Sequence, residues 1–207
     1  MVSRVGSLKQ FVYLISPNHI YPNFYKDLEK VLSSRKVSFF QLRLKKIPKN
    51  SIIKIAIKIK KITRKYKVKF IINDDPKLAK EVSADGCHIG QLDSTVSSAR
   101  KKIKKKIIGV TCHNSKELAL KASKDRADYV AFGSFFKSML KPNAKKADLK
   151  ILRWAKKKIK NPIVVIGGIN DKNYKKLIKA GANYIAISTF VWNNPFLKPE
   201  IAINKFK

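Results

Sequence analysis

Eight short apolar runs recur along the chain, separated by longer Lys-rich stretches that carry apolar residues at helical spacing. One stretch places four apolar residues on a single helix face: Ile52, Ile55, Ala56 and Ile59. Another, residues 173–180, precedes Gly181, and glycine commonly ends a helix. The stretches therefore predict helices, and the runs predict strands. The predicted strands are residues 11–15, 37–45, 68–73, 86–89, 106–110, 129–133, 163–167 and 184–188.

Strict alternation of strand and helix predicts a parallel sheet with crossover helices. Eight units of about 26 residues, in a chain of 207 residues, suit a closed (β/α)8 barrel. A doubly wound open sheet is the alternative that the same alternation allows. No linker interrupts the pattern, so residues 1–207 are expected to form a single TIM-barrel domain of the α/β class.

The charge is strongly unbalanced, with 47 Lys and Arg against 13 Asp and Glu, a formal net charge of +34. Such a charge is typical of nucleic-acid binders, because basic surface neutralises phosphates. The lysines, however, are spread over nearly every predicted helix instead of one segment. Nucleic acid is therefore not expected to be the main partner, and the positive field should instead steer small anionic substrates.

The two cysteines, Cys87 and Cys112, are each followed by a histidine. Two thiols do not build a disulfide framework, and the spacing matches no usual zinc pattern. Both cysteines are therefore expected to be small buried hydrophobes. No run approaches the roughly 18 apolar residues of a membrane span, and residues 1–10 lack the apolar core of a signal peptide. We expect a cytoplasmic protein without a membrane partner.

The second predicted strand ends in Gln41-Leu42-Arg43-Leu44-Lys45. Because strand side chains alternate between faces, Gln41, Arg43 and Lys45 share one face. In a barrel the two leucines would point outward to the helices, and the three polar side chains would point into the mouth. An amide and two cations there suit an anionic ligand that carries a heterocycle. An ordinary solvated strand end is the alternative.

Two aspartates follow the next two strands: Asp74 comes after the third, and Asp93 comes after the fourth. Barrel enzymes place their sites at these carboxyl ends of the strands. Two carboxylates beside bound phosphates are a usual way to hold Mg²⁺, with waters filling its remaining positions. The alternative for each aspartate is a helix N-cap, since Asp75-Pro76 and Ser94-Thr95 also resemble helix starts.

Two further segments could bind phosphate. The seventh strand runs into Gly167-Gly168, and the eighth ends at Ile187-Ser188. Glycines let a phosphate approach backbone N–H groups, and barrels often bind phosphate in the loops after these two strands. A simple turn is the alternative.

The long segment 134–146 after the sixth strand resembles a lid, in which Lys141 could reach a phosphate or could simply be solvated.

Together these residues resemble the family of thiamine phosphate synthases and its sister group, the thiazole tautomerases. Seven motifs occur in the family's order over most of residues 12–188. They are Gln41-Leu42-Arg43-x-Lys45, Asn73-Asp74, Asp85-Gly86-x-His88-x-Gly90-Gln91-x-Asp93, Gly109-Val110-Thr111-x-His113, Ala127-Asp128-Tyr129-Val130, Ile166-Gly167-Gly168-Ile169 and Ala180-Gly181-Ala182.

The resemblance implies a (β/α)8 barrel that couples hydroxymethylpyrimidine diphosphate with thiazole phosphate, giving thiamine phosphate and diphosphate. It implies a dissociative reaction, in which diphosphate leaves before the thiazole nitrogen attacks, and it implies Mg²⁺ held by Asp74 and Asp93. Gln41 would contact the pyrimidine, with Thr111 and Ser138 also in the substrate site. The diphosphate would be bound by Arg43, Lys45, Asn73 and Lys141, and the three cations would be catalytic. Thiazole phosphate would be held by backbone N–H groups of Gly168, Ile187 and Ser188.

The lid departs from the family pattern. The family commonly has Pro-Thr-x-Thr-Lys, whereas this chain has Lys137-Ser138-Met139-Leu140-Lys141, so Leu140 replaces a hydroxyl directed at phosphate. A thiazole tautomerase is the enzymatic alternative, although it has no use for the magnesium carboxylates. A non-catalytic barrel that binds phosphorylated metabolites or nucleic acid is the other. The oligomeric state does not follow from the sequence.

Overall fold

The computed structural model describes residues 10–137 and 146–207. Eight parallel strands form a closed barrel, in which each strand pairs with the next and β8 pairs with β1. The (β/α)8 prediction is therefore confirmed, and the doubly wound alternative is wrong. The strands are β1 Val12–Ile15, β2 Val37–Leu42, β3 Lys69–Asn73, β4 Gly86–Ile89, β5 Ile107–His113, β6 Tyr129–Gly133, β7 Ile163–Ile166 and β8 Tyr184–Ile187.

Helices follow the strands and pack around the barrel. They are α1 Phe24–Ser33, α2 Lys49–Lys65, α3 Pro76–Glu81, α4 Val96–Ile103, α5 Lys116–Lys124, α6 Leu149–Lys158, α7 Tyr174–Ala180, α8 Thr189–Trp192 and α9 Pro199–Asn204. In α2, Ala56 and Ile59 are fully buried, as the spacing predicts. Helix α7 ends at Gly181, whose φ of +123° favours glycine.

Two strands differ from their predictions by three residues at the carboxyl end, and the others agree within one residue. Strand β2 ends at Leu42 because the Ser16 side chain replaces the next ladder partner, with its Oγ accepting from the Arg43 N–H at 3.0 Å. Strand β5 extends beyond Val110 to His113, with a shift of register against β6 after Thr111. The extension places Thr111 within a strand, so its side chain has a defined face.

The apolar core has two layers because the barrel strands alternate their side chains. The outer layer lies between strands and helices, and it includes Leu42, Leu44 and both cysteines. Cys87 and Cys112 are free and buried, as predicted, and burial raises the pKa of each thiol to about 12. The inner layer fills the barrel. It consists of Tyr13, Ile15, Phe39, Ile107, Tyr129, Ala131, Val164, Ile166, Tyr184 and Ala186.

Gly109 makes room for one of these inner rings. It pairs with Tyr129 in the register of β5 and β6, and a Cβ at Gly109 would overlap the Tyr129 ring. The absence of a side chain on β5 therefore lets the tyrosine of β6 cross the interior.

Across residues 10–137 and 146–207, no helix combines the length and the apolar character needed to cross a membrane.

We expect Gly109→Ala to lower the free energy of unfolding by about 1–3 kcal/mol, because the added methyl group overpacks the barrel against Tyr129. Urea unfolding measures the loss. Tyr129→Leu shortens the opposing side chain, so the double variant should lose less than the sum of the two single losses. Simple additivity would contradict the proposed overlap.

A second expectation concerns His88 in β4. Burial lowers the pKa of His88 from its ordinary value of 6.5 to about 4, although the Asp93 carboxylate opposes that shift. Between about pH 6.5 and pH 4 the unfolded chain therefore binds a proton at His88 that the folded protein does not. Stability from the neutral imidazole is present above this window and is lost as the pH falls through it.

The matched variant is His88→Gln, which cannot titrate. Its unfolding free energy should be lower than that of the parent at neutral pH, and the difference should shrink as the pH falls toward about 4. Urea titrations across this range provide the comparison. A difference that stays constant with pH would disprove the contribution of His88.

Candidate active site

Charged side chains from three consecutive strand ends meet at the barrel mouth. Arg43 and Lys45 follow β2, Asp74 follows β3 and Asp93 follows β4. The Lys45 Nζ lies 3.9 Å from Asp74 Oδ2, and the charges of both cations act on the Asp74 carboxyl. The sequence-predicted cations and carboxylates therefore share one side of the mouth.

The faces of the second strand follow the predicted alternation. Leu42 is buried in the outer layer, whereas Gln41 points inward, where its Nε2 donates to the Tyr13 hydroxyl at 3.0 Å. Gln41 is only 3% exposed, so it forms the floor of the mouth rather than its rim. Asn73 pairs with His88 in the ladder of β3 and β4 and therefore lies on the same inner face as the imidazole.

The Asp74 and Asp93 side chains lie close enough to share a proton when one of them is protonated. The pKa of Asp74 is raised to about 6, chiefly by burial and also by the hydrogen bond and charge of Asp93, whereas Lys45 and Arg43 oppose the shift. Asp74 also has a φ of +64°, an uncommon backbone geometry that aspartate tolerates better than most residues. Its backbone N–H donates to the His88 carbonyl at 2.7 Å, which ties the end of β3 to β4.

Neither carboxylate caps a helix. The cap of α3 is Asp75, which accepts from the Leu78 N–H at 2.9 Å, and the cap of α4 is Thr95, which accepts from the Ser98 N–H at 3.1 Å. Asp93 instead accepts from the Gly90 N–H at 2.7 Å, within its own loop. The N-cap alternative is therefore wrong for both aspartates.

The two carboxylates offer hard oxygen ligands of the kind that Mg²⁺ prefers. When both groups are ionised, the two neighbouring carboxylates repel each other, and a divalent cation would offset this repulsion. Within the described residues, no group of three or more His, Cys, Asp or Glu side chains could hold a metal ion. Any ion bound here would thus rely on water or substrate for its other ligands.

An interior network of five hydrogen-bonded side chains joins Gln41 to Thr111 below the mouth. From Gln41 it passes to Tyr13, whose hydroxyl lies 2.8 Å from that of Tyr129. The Tyr129 hydroxyl lies 2.9 Å from His88 Nδ1, and His88 Nε2 lies 2.8 Å from Thr111 Oγ1. The network draws on β1, β2, β4, β5 and β6.

Tyr13, Tyr129 and His88 belong to a network that no local sequence pattern predicts. In the sequence His88 stands in a Cys-His pair and in a family motif, neither of which gives it a role. Its side chain lies inside the barrel, whereas Cys87 lies outside. The signal that could have found the tyrosines is their position within two predicted strands. A buried tyrosine hydroxyl usually has a hydrogen-bond partner, so two of them inside one barrel indicate polar contacts.

The predicted phosphate-binding residues lie across the barrel at β7 and β8. Gly167 and Gly168 have φ values of +106° and +60°, and a Cβ at either position would overlap the segment 134–137. The Gly168 carbonyl accepts from Asn173 Nδ2 at 2.9 Å, which fixes the peptide orientation. The glycines are therefore required for close packing between two loops, whether or not a phosphate binds.

Ser188 and Ile187 close the far side of the barrel. The Ser188 hydroxyl donates to the Ser16 carbonyl at 3.0 Å, which links the end of β8 to the end of β1. The Ile187 side chain is buried in the outer layer, so only its backbone could face a ligand. The remaining predicted site residues, Ser138 and Lys141, lie outside the described residues, as does Leu140.

Comparison with known proteins identifies a family. A family model described as thiamine monophosphate synthase matches residues 12–191. A protein of Pelagibacter ubique named thiamine-phosphate synthase is 57% identical over 200 residues, which cover 96% of this chain and 97% of the relative. A protein of the same name from Erythrobacter litoralis is 40% identical over 187 residues, which cover 88% of each.

A solved structure agrees with these matches. Thiamine phosphate pyrophosphorylase from Pyrococcus furiosus superposes with a TM-score of 0.85 at 29% identity, over 96% of this chain and 94% of that chain. The similarity in sequence and in structure thus covers nearly the whole length of this chain and of the proteins compared with it. The chain belongs to the thiamine monophosphate synthase family.

Proposed function

We propose that this protein joins hydroxymethylpyrimidine diphosphate to thiazole phosphate, forming thiamine phosphate and releasing diphosphate. The observation that carries the proposal is the meeting of two cations with two neighbouring carboxyl groups at the mouth, where Lys45 lies 3.9 Å from Asp74. Cations suit a diphosphate, and paired carboxylates suit the divalent cation that commonly accompanies it. The reaction transfers a pyrimidine group, so the enzyme is a transferase.

The departure of diphosphate needs its growing negative charge to be neutralised. In this proposal Arg43 and Lys45 bind the diphosphate together with Asn73, and Lys141 of the lid adds a third cation. The carbon–oxygen bond breaks with both electrons going to diphosphate, and the thiazole nitrogen then donates its electron pair to the pyrimidine carbon. No proton has to leave the reacting atoms, so the site needs no strong general base.

Asp74 and Asp93 would hold Mg²⁺ with hard oxygen ligands, which fits their position beside the cations. When bound, the ion would supply positive charge to the leaving diphosphate. Without the ion, the raised pKa of Asp74 means that this carboxyl holds a proton more readily than an exposed aspartate does.

The second substrate would bind on the opposite side of the mouth. Backbone N–H groups of Gly168, Ile187 and Ser188 would hold the thiazole phosphate, and Gln41 and Thr111 would contact the pyrimidine between the two anion sites. Holding both reactants in one barrel mouth favours the second step by proximity. The formal charge of +34 would draw both anions toward the protein, which we expect to work in the cytoplasm.

The decisive experiment mixes the protein with both substrates and Mg²⁺ and measures thiamine phosphate together with released diphosphate. Both products should appear in equal amounts. A thiazole tautomerase would isomerise thiazole phosphate without releasing diphosphate. For a barrel that only binds polyanions, random DNA would bind with a steep salt dependence and coupling would be absent.

We expect Asp93→Ala to lower the coupling rate by orders of magnitude, because it removes one of the two carboxylates proposed to hold Mg²⁺. Steady-state kinetics at a series of Mg²⁺ concentrations test this, with circular dichroism to verify the fold. Ser98→Ala, on the neighbouring helix, is the matched control and should retain activity. Full activity of Asp93→Ala, or of the parent protein in chelator, would refute the metal assignment.

We also expect Arg43→Gln and Lys45→Gln to weaken binding of the pyrimidine diphosphate more than binding of thiazole phosphate. The reason is distance, because the second phosphate is proposed to bind across the barrel at Gly168 and Ser188. Isothermal titration with each ligand separately gives the two affinities. Equal losses for both ligands would mean that the two anion sites are assigned wrongly.

A further inference from the structure

In the interior network each hydrogen bond has a defined donor and acceptor, and all of them run in one direction. The order is Gln41, Tyr13, Tyr129, His88 and Thr111. The Gln41 amide nitrogen can only donate, so the Tyr13 hydroxyl accepts this hydrogen bond. Tyr13 is buried, and within residues 10–137 and 146–207 its hydroxyl contacts one further side chain, Tyr129. Because a buried hydroxyl proton without an acceptor is costly, Tyr13 must donate to Tyr129.

The donors and acceptors are fixed from Tyr129 to Thr111 as well. The Tyr129 hydroxyl has accepted from Tyr13 and therefore donates its own proton to His88 Nδ1. Because Nδ1 accepts this hydrogen bond, it carries no proton of its own, so the imidazole is neutral with a single N–H. That proton is then on Nε2, which donates to Thr111 Oγ1 at 2.8 Å.

We propose that Tyr13, Tyr129 and His88 are positioning residues, which act on the ligand through the two ends of the interior network. At one end they turn the Gln41 amide nitrogen toward the barrel floor, so its oxygen is left as an acceptor. At the other end Thr111 receives a hydrogen bond from His88, so its own hydroxyl proton is left to donate. This inference rests on the proposed function, in which Gln41 and Thr111 contact the pyrimidine substrate.

The orientation of the Gln41 amide and that of the Thr111 hydroxyl therefore depend on each other. Reversing any one hydrogen bond would reverse the others. Gln41 would then present an N–H to the ligand instead of its oxygen, and Thr111 would present a lone pair instead of its proton. The site therefore selects a ligand that offers a hydrogen-bond donor at Gln41 and an acceptor, such as a diphosphate oxygen or a ring nitrogen, at Thr111. A ligand with the opposite pattern would leave polar groups unpaired at both ends, which gives strong discrimination.

The first test needs no substrate. Nitrogen NMR of the protein labelled with ¹⁵N-histidine distinguishes protonated from unprotonated imidazole nitrogens. The chain has three histidines, and the His88→Gln spectrum identifies the signals of His88. We expect the Nε2–H form at neutral pH. Observation of the Nδ1–H form would overturn the proposal, because it would place the whole network in the opposite direction.

The second test is a double-mutant cycle in the coupling assay. Thr111→Val removes the hydroxyl but keeps the branched shape, and it should lower kcat/KM by about tenfold to a hundredfold. Tyr129→Phe removes the hydroxyl that donates to His88 Nδ1, and it should also lower kcat/KM. Because part of the effect of Tyr129 passes through Thr111, Tyr129→Phe should cause a smaller loss in the Thr111→Val protein than in the parent.

Two controls separate positioning from packing. Tyr184 belongs to the same inner layer, packing edge-on against Phe39 at 5.1 Å, and lies outside the interior network. Tyr184→Phe deletes a hydroxyl from this layer and should leave kcat/KM nearly unchanged. Thr111→Ser retains the donor and should restore most of the activity that Thr111→Val loses.

Independent losses from Tyr129→Phe and Thr111→Val, multiplying in the double variant, would overturn the proposal. A loss from Tyr184→Phe as large as that from Tyr129→Phe would also overturn it, since packing alone would then explain both. If the parent protein forms no thiamine phosphate, the proposed function fails. The histidine spectrum still reports the direction of the network in that case.

Discussion

The pairing of β8 with β1 closes the sheet, and the candidate site depends on that closure. An open parallel sheet would present its strand ends along a line, with the ends of β2 and β8 on opposite flanks. In the barrel those ends surround one mouth, and Ser188 of the last strand donates a hydrogen bond to the carbonyl of Ser16 after the first. The two proposed anion sites can therefore face each other across one mouth.

Closure also creates an interior that has to be filled. Strand alternation sends every second side chain inward, and aromatic rings occupy much of that space. Gly109 contributes by having no side chain, which lets the Tyr129 ring cross the barrel. The hydroxyl groups of Tyr13 and Tyr129 are buried and need partners, and they pair with each other, with Gln41 and with His88. Thr111 in turn pairs with His88. The same hydrogen bonds that satisfy the core thus also orient the floor of the site.

At the mouth the balance of charges differs from that in the interior. Asp74 and Asp93 share a hydrogen bond, and Lys45 and Arg43 partly offset the charge that this pair carries when ionised. Excess positive charge over the rest of the protein adds a general attraction for anions. The local arrangement, rather than the net charge, distinguishes the proposed diphosphate site from a merely basic surface.

The sequence by itself determined the number and order of the strands and the helical character of the stretches between them. All eight predicted strands are present, because apolar runs of strand length and amphipathic stretches of helical spacing are local properties. It also determined which side chains share a face, so Leu42 and Gln41 were assigned correctly to opposite sides of β2. The candidate carboxylates and cations were identified from their positions at strand ends.

Only the tertiary structure decided which of these side chains meet. The contact between Asp74 and Asp93, the approach of Lys45, and the network from Gln41 to Thr111 all join residues from different strands. Their distances depend on barrel closure, register and the space left by Gly109, none of which is encoded in a local pattern. The end of β2 at Leu42 has the same origin, because a side chain from the neighbouring strand, Ser16, replaces the ladder there.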